Sequence, residues 1–129
     1  MTSVESEFDR AVAPGLADLH RTHPDLVRFV RVGGGDPRAW LWSDDGTGVG
    51  LTLDVGRVGA DAVHWVSEQL QEAVIEALWG AGESAVWPVC PSHPHQHPLW
   101  AAVTQAQVVW ECPISRQPVY EVGALGLDE

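Results

Sequence analysis

The sequence predicts an α+β domain: an antiparallel sheet with one long amphipathic helix and a C-terminal β-hairpin region stapled by Cys and His. Three observations carry this expectation. Between residues 25 and 55, apolar residues alternate along short runs separated by glycine turns. Over residues 60–79 they recur at helical spacing instead. After residue 84 prolines, cysteines and histidines replace both patterns. The 129 residues suit a single domain, 1–129, read in three parts: 1–24 helical, 25–83 sheet plus helix, and 84–123 the Cys/His β region.

The elements follow in order. Val4, Phe8, Val12, Leu16 and Leu19 mark one face of a weak helical segment, which Pro14-Gly15 is expected to interrupt and His23-Pro24 to end. Residues 26–32 and 38–43 read as strands around the turn Gly33-Gly34-Gly35-Asp36-Pro37, with Trp40 and Trp42 on one face of the second. Asp44-Asp45-Gly46-Thr47-Gly48 is a hairpin signal, and Val49, Leu51, Leu53 and Val55 alternate along a third strand. The helix over 60–79 places Val63, Val66, Leu70, Val74, Ala77 and Leu78 on one face, with Gly59 as expected N-cap and Gly80 as expected terminator. Four prolines between 88 and 98 forbid regular helix there. Residues 103–111 and 119–122 read as strands, followed by a frayed tail.

Composition excludes several functions. Acidic residues number 18 against 7 basic, a net charge of −11, so a nucleic-acid backbone binder is not expected. With no Lys in the chain, Schiff-base chemistry, a Walker lysine and a Ser-Lys dyad fall away. With no Asn, so do N-glycosylation and a Cys-His-Asn triad. The acidic start Met1-Thr2-Ser3-Val4-Glu5-Ser6-Glu7 has no apolar stretch, so no secretory leader is expected, and no run reaches the roughly 18 apolar residues of a membrane span. The expected compartment is the reducing cytoplasm, where a structural disulfide is disfavoured. Acidic residues are spread along the chain, which suits solubility. The same charge also suits a basic protein partner.

Both cysteines begin a Cys-Pro phrase: Cys90-Pro91-Ser92-His93 and Cys112-Pro113-Ile114-Ser115. Over residues 87–118 these phrases resemble the knuckles of zinc-ribbon and rubredoxin-like proteins. In those proteins ligands at i and i+3 of a tight turn share a tetrahedral metal. The resemblance implies zinc, held by Cys90, His93 and Cys112, with His97 fourth or His95 in its place, because Ser115 stands where the second knuckle expects a ligand. Four protein ligands would make a structural site; three plus water would make a catalytic one. The same residues also fit buried free thiols, a disulfide in an exported protein, or Cys90 as a nucleophile activated by His93 or His95.

Other motifs carry bland readings. His64 and Glu68 have i, i+4 spacing but lack the second His of a metalloprotease helix. The glycine clusters at 33–35 and 46–50 are turns. Gly56-Arg57-Val58-Gly59 precedes a helix, and a helix start can hold an anion, but no fuller motif supports that. The seven Trp suit core filling in a chain with two Phe and one Tyr, with Trp40 and Trp42 candidates for an exposed aromatic surface. Three functional expectations follow: a zinc-stapled adaptor or inhibitor that binds another protein; a zinc hydrolase with an open site and Glu111 or Glu83 as general base; or a metal-free domain with thiols in its core.

Overall fold

Helix α1 (Val4–Thr22) opens the fold, and the sheet β1 (Val27–Arg31), β2 (Arg38–Ser43), β3 (Gly48–Thr52) follows. Helix α2 (Gly59–Gly80) leads to a second sheet, β4 (Trp100–Thr104), β5 (Gln107–Glu111) and β6 (Pro118–Glu121). Both sheets are antiparallel meanders in chain order. The computed structural model describes residues 4–33 and 35–127. Residues 1–3, Gly34, residues 128–129 and the side chains of residues 4–6 lie outside that description. The expectations for the N-terminal leader, the place of Val4 on the helical face, part of the 33–37 turn and the end of the tail fall there.

The architecture is α+β, but with two long helices instead of one. Pro14 sits inside α1, whose 19 residues run unbroken past the expected interruption. Packing overrides local propensity here. Gly15 is buried against α2, where a Cβ would come within 2.6 Å of Leu70 Cδ2, so any side chain here would have to displace the buried Leu70. Phe8, Ala11, Val12 and Leu19 are buried on the same helix.

In the first sheet Ala39, Leu41 and Leu51 point into the core. Trp40 and Trp42 face outward, opposite Gly50 and Gly48. The β2–β3 turn is held by the Asp45 carboxylate, which accepts from the Thr47 N–H (3.0 Å) and hydroxyl (2.7 Å), with Gly46 at φ +89°. Strand β3 ends at Thr52, earlier than expected. Leu53 is still buried, whereas Val55 is 85% exposed. The Gln69 side chain pairs with the Thr52 N–H and carbonyl as a further strand would, which satisfies that edge.

Helix α2 buries Val66, Leu70, Val74 and Leu78, as its periodicity predicts, and leaves Val63 and Ala77 half-buried. Its ends differ from expectation. The N-cap is Val58, without a side-chain cap bond, and the Gly59 N–H donates to the Glu7 carboxylate instead. The terminator is Gly82 (φ +72°), not Gly80. Gly82 N donates to Trp79 O and Glu83 N to Leu78 O, the paired bonds of a Schellman motif.

The expected strand over 103–111 is in fact a hairpin. Gln105 (φ +50°) and Ala106 (φ +65°) form its two-residue turn, and Thr104 pairs with Gln107. Neither residue carries the Gly, Asn or Asp signal of such a turn, so the reversal is invisible locally. The C-terminal region is therefore a three-stranded sheet and not a lone hairpin. The tail is not frayed through residue 127: Leu125 is buried, and its N–H donates to Asp18.

Asp18 is the fold's internal knot. Fully buried, it accepts from Trp110 Nε1 (2.8 Å), Gly123 N (2.7 Å) and Leu125 N (2.9 Å), and pairs with Arg21 (3.2 Å). A buried carboxylate is tolerable only when its lone pairs are satisfied in this way. Asp18→Ala strands three donors and should cost about 3 kcal/mol in urea unfolding. Asp18→Asn keeps one acceptor oxygen and should cost less. Equal, small losses for both would contradict this role.

Candidate metal centre

Two turns carry the cysteines, and a buried Trp anchors each. Trp87 lies three residues before Cys90, and its Nε1 donates to Thr22 Oγ1 (3.0 Å). Trp110 lies two residues before Cys112 and is tied to Asp18. The two indoles meet edge to face at 5.6 Å. Both cysteine segments thus hang from α1 at fixed separation.

The first turn closes through His93 N to Cys90 O (3.1 Å), and the next through Gln96 N to His93 O (3.3 Å). A bridge between Val89 and Pro98, with Leu99 N donating to Pro88 O, pinches the ends of the loop together. His97 is thereby carried back to His93, with ring centroids 5.0 Å apart. The second turn closes through Arg116 N to Cys112 O (2.8 Å), with Arg116 at φ +61°.

Cys90, His93, His97 and Cys112 converge, and their ligand atoms all lie within 4.8 Å of one another. His93 Nδ1 stands 3.6 Å from Cys90 Sγ and 3.7 Å from Cys112 Sγ. Both thiols are buried. His97 Nδ1 lies 3.1 Å from the Pro98 carbonyl. A carbonyl only accepts, so Nδ1 is the donor, and in the neutral ring Nε2 then keeps a lone pair. That Nε2 is buried and has no hydrogen-bond partner among the described residues. The four side chains could hold one metal ion.

Ser115 is not part of the group, but it contacts Cys112. The Ser115 N–H points at Cys112 Sγ (3.5 Å). That N–H, then the Ser115 hydroxyl, and more weakly the Ile114 N–H and the Cys90 side chain, lower the Cys112 thiol from 9.0 to about 6.

The remaining candidates lie elsewhere. His95 is exposed and outside the group. Glu111 accepts from Trp100 Nε1 (2.7 Å), and Glu83 follows the end of α2 beside a different cleft. His64 Nε2 contacts the Ala101 carbonyl (3.1 Å) and stands 3.6 Å from Glu68. At the start of α2 the Gly59 N–H already donates to the Glu7 carboxylate. The anchoring roles of Trp87, Trp110 and Asp18 escaped the sequence reading. The repeated Trp just upstream of each Cys was the available signal. Among the described residues no helix is long and apolar enough to cross a membrane. The chain matches no protein-family model, no curated protein and no solved structure.

The lowered Cys112 pKa has a definite sign. In the metal-free protein its stabilising contribution is complete above pH 9.0, the ordinary value, and is lost as pH falls through about 6. Ultraviolet titration of metal-free Cys90→Ser protein, which keeps the Ser115 and Ile114 bonds, should give a thiolate midpoint well below 9.0. A midpoint at the ordinary thiol value would refute these hydrogen bonds.

Proposed function

We propose that the chain is a small acidic module that binds another protein as an adaptor or inhibitor, with its C-terminal third stapled by a structural zinc ion. The ligands are Cys90, His93, His97 and Cys112. One observation carries the zinc: His93 Nδ1 is 3.6 and 3.7 Å from the two sulfurs. Zinc–sulfur and zinc–nitrogen bonds of about 2.3 and 2.0 Å at tetrahedral angles separate S and N ligands by about 3.5 Å. A single Nδ1 cannot make two good hydrogen bonds to two sulfurs, but one metal ion serves all three atoms. The unpartnered Nε2 of His97 gains a partner in the same way.

Two thiolates and two imidazoles select zinc over calcium or magnesium. Four side-chain ligands make a closed site, which favours a structural over a hydrolytic role. The hydrolase reading also lacks a base: among the described residues the group includes no carboxylate, and Glu111 is engaged by Trp100. The metal-free reading accounts for buried thiols but not for the orphaned imidazole nitrogen. A reducing cytoplasm would keep both thiols available for the metal.

Metal analysis of untagged protein, purified without added zinc, should find about one zinc per chain. Cys90→Ser with Cys112→Ser should carry none. His97→Ala should weaken zinc binding by at least about tenfold, whereas His95→Ala should leave it unchanged. A wild type free of metal, with thiols that react only after unfolding, would rule the zinc out.

A further inference from the structure

Away from the Cys/His group, a cleft of about 700 Å3 opens between the α1–β1 loop, the β2–β3 hairpin and the end of α2. Its floor is apolar: Leu41, Val49, Ala73 and Ala77. Its rim carries five carboxylates, Asp25, Asp44, Asp45, Glu76 and Glu83, and no Arg; His23 is the one lining residue able to become cationic. Helix α2 ends at this rim with no basic residue in its last turn, so its negative dipole end adds to the field.

Six of the chain's seven Arg are engaged elsewhere, and the seventh, Arg28, lines the hollow that adjoins the cleft but not the cleft itself. Arg10, Arg21, Arg31, Arg38 and Arg57 form ion pairs with Glu7, Asp18, Asp9, Asp36 and Asp61. Arg116 lies over Trp100. Among the described residues no ion pair includes any of the five rim carboxylates, which leaves their charge for a partner's cation.

A second observation points to the same ligand chemistry. An adjoining hollow shares Pro24, Asp25, Val27, Ser43 and Asp44 with the cleft and reaches Trp42, with His20 and Arg28 also in its lining. Trp42 and the 41%-exposed Trp40 stack at 5.4 Å on the outer face of β2. The Trp42 ring covers Gly48, where a Cβ would fall 2.5 Å from it; Gly48 itself lines the cleft. Elsewhere this fold sets Arg over Phe8 and Trp65, at 4.7 and 3.8 Å. The outward Trp pair offers a partner's Arg the same contact.

We propose that this cleft and the adjoining Trp pair receive a basic segment of a partner protein. A Lys or Arg stem lies on the Leu41–Val49 floor, with its charged head among Asp45, Glu76 and Glu83. A neighbouring Arg stacks on Trp42. A small free amine could fill the cleft but could not also cover the Trp pair. The net charge of −11 steers such a segment toward the chain. This inference rests on the protein-binding reading and is independent of the metal.

Calorimetric titration with a synthetic peptide of alternating Arg, Lys and Ser tests it, with Trp fluorescence as a second readout. Glu76→Gln with Glu83→Gln should weaken binding about tenfold. Glu72→Gln with Glu121→Gln removes the same charge from outside the cleft and should change it less than about twofold. Spermidine should bind far more weakly and leave Trp fluorescence unmoved. Equal losses in both double variants, or spermidine matching the peptide, would overturn the cleft assignment while leaving a basic partner in place. No peptide binding at all would overturn both.

Discussion

Asp18 is a carboxylate without solvent; its three donors come from two distant parts of the chain and its cation, Arg21, from one turn further along the same helix. It ties α1 to β5 through Trp110 and to the C-terminal turn through Gly123 and Leu125. One helical turn later, Thr22 takes the Trp87 indole. These bonds fix where residues 87 and 110 can be, and so where Cys90 and Cys112 can be. The convergence of two thiols and two imidazoles is downstream of a hydrogen-bond knot in the core, on residues that never touch the cluster.

That order has a consequence for the metal. The scaffold around the cluster is braced by apolar packing and by Asp18 before any ion binds. His93 Nδ1 already stands at a tetrahedral separation from both sulfurs, and all four ligand atoms lie within 4.8 Å of one another. Zinc would lock the loop over 90–97 and the turn at 112–117 instead of creating the fold. The Ser115 bonds to Cys112 act in the same direction, because they favour the thiolate that a metal requires.

Local chemistry accounts for much of this in the sequence. The alternation at 38–43, the Asp45-Gly46 turn and the period of residues 60–79 each reflect a rule that neighbouring residues obey alone. The misses came where distant residues decide. Pro14-Gly15 reads as a break, but Gly15 is the contact point for Leu70. Gln105-Ala106 turns without a turn signal because its flanking strands pair, Val103 with Val108 and Thr104 with Gln107. Cys90, His93 and Cys112 were readable because Cys-Pro phrases constrain a tight turn. The choice of His97 over His95 was not, since it depends on the Val89–Pro98 pinch. Asp18 gave no sign at all: a lone Asp on a helix looks solvated until its partners arrive.

X-ray absorption at the zinc edge of the zinc-loaded protein tests the central claim most directly. Two sulfurs at about 2.3 Å and two imidazole nitrogens at about 2.0 Å would match the closed site built from Cys90, His93, His97 and Cys112. A water oxygen in place of one imidazole, or a single sulfur, would contradict it.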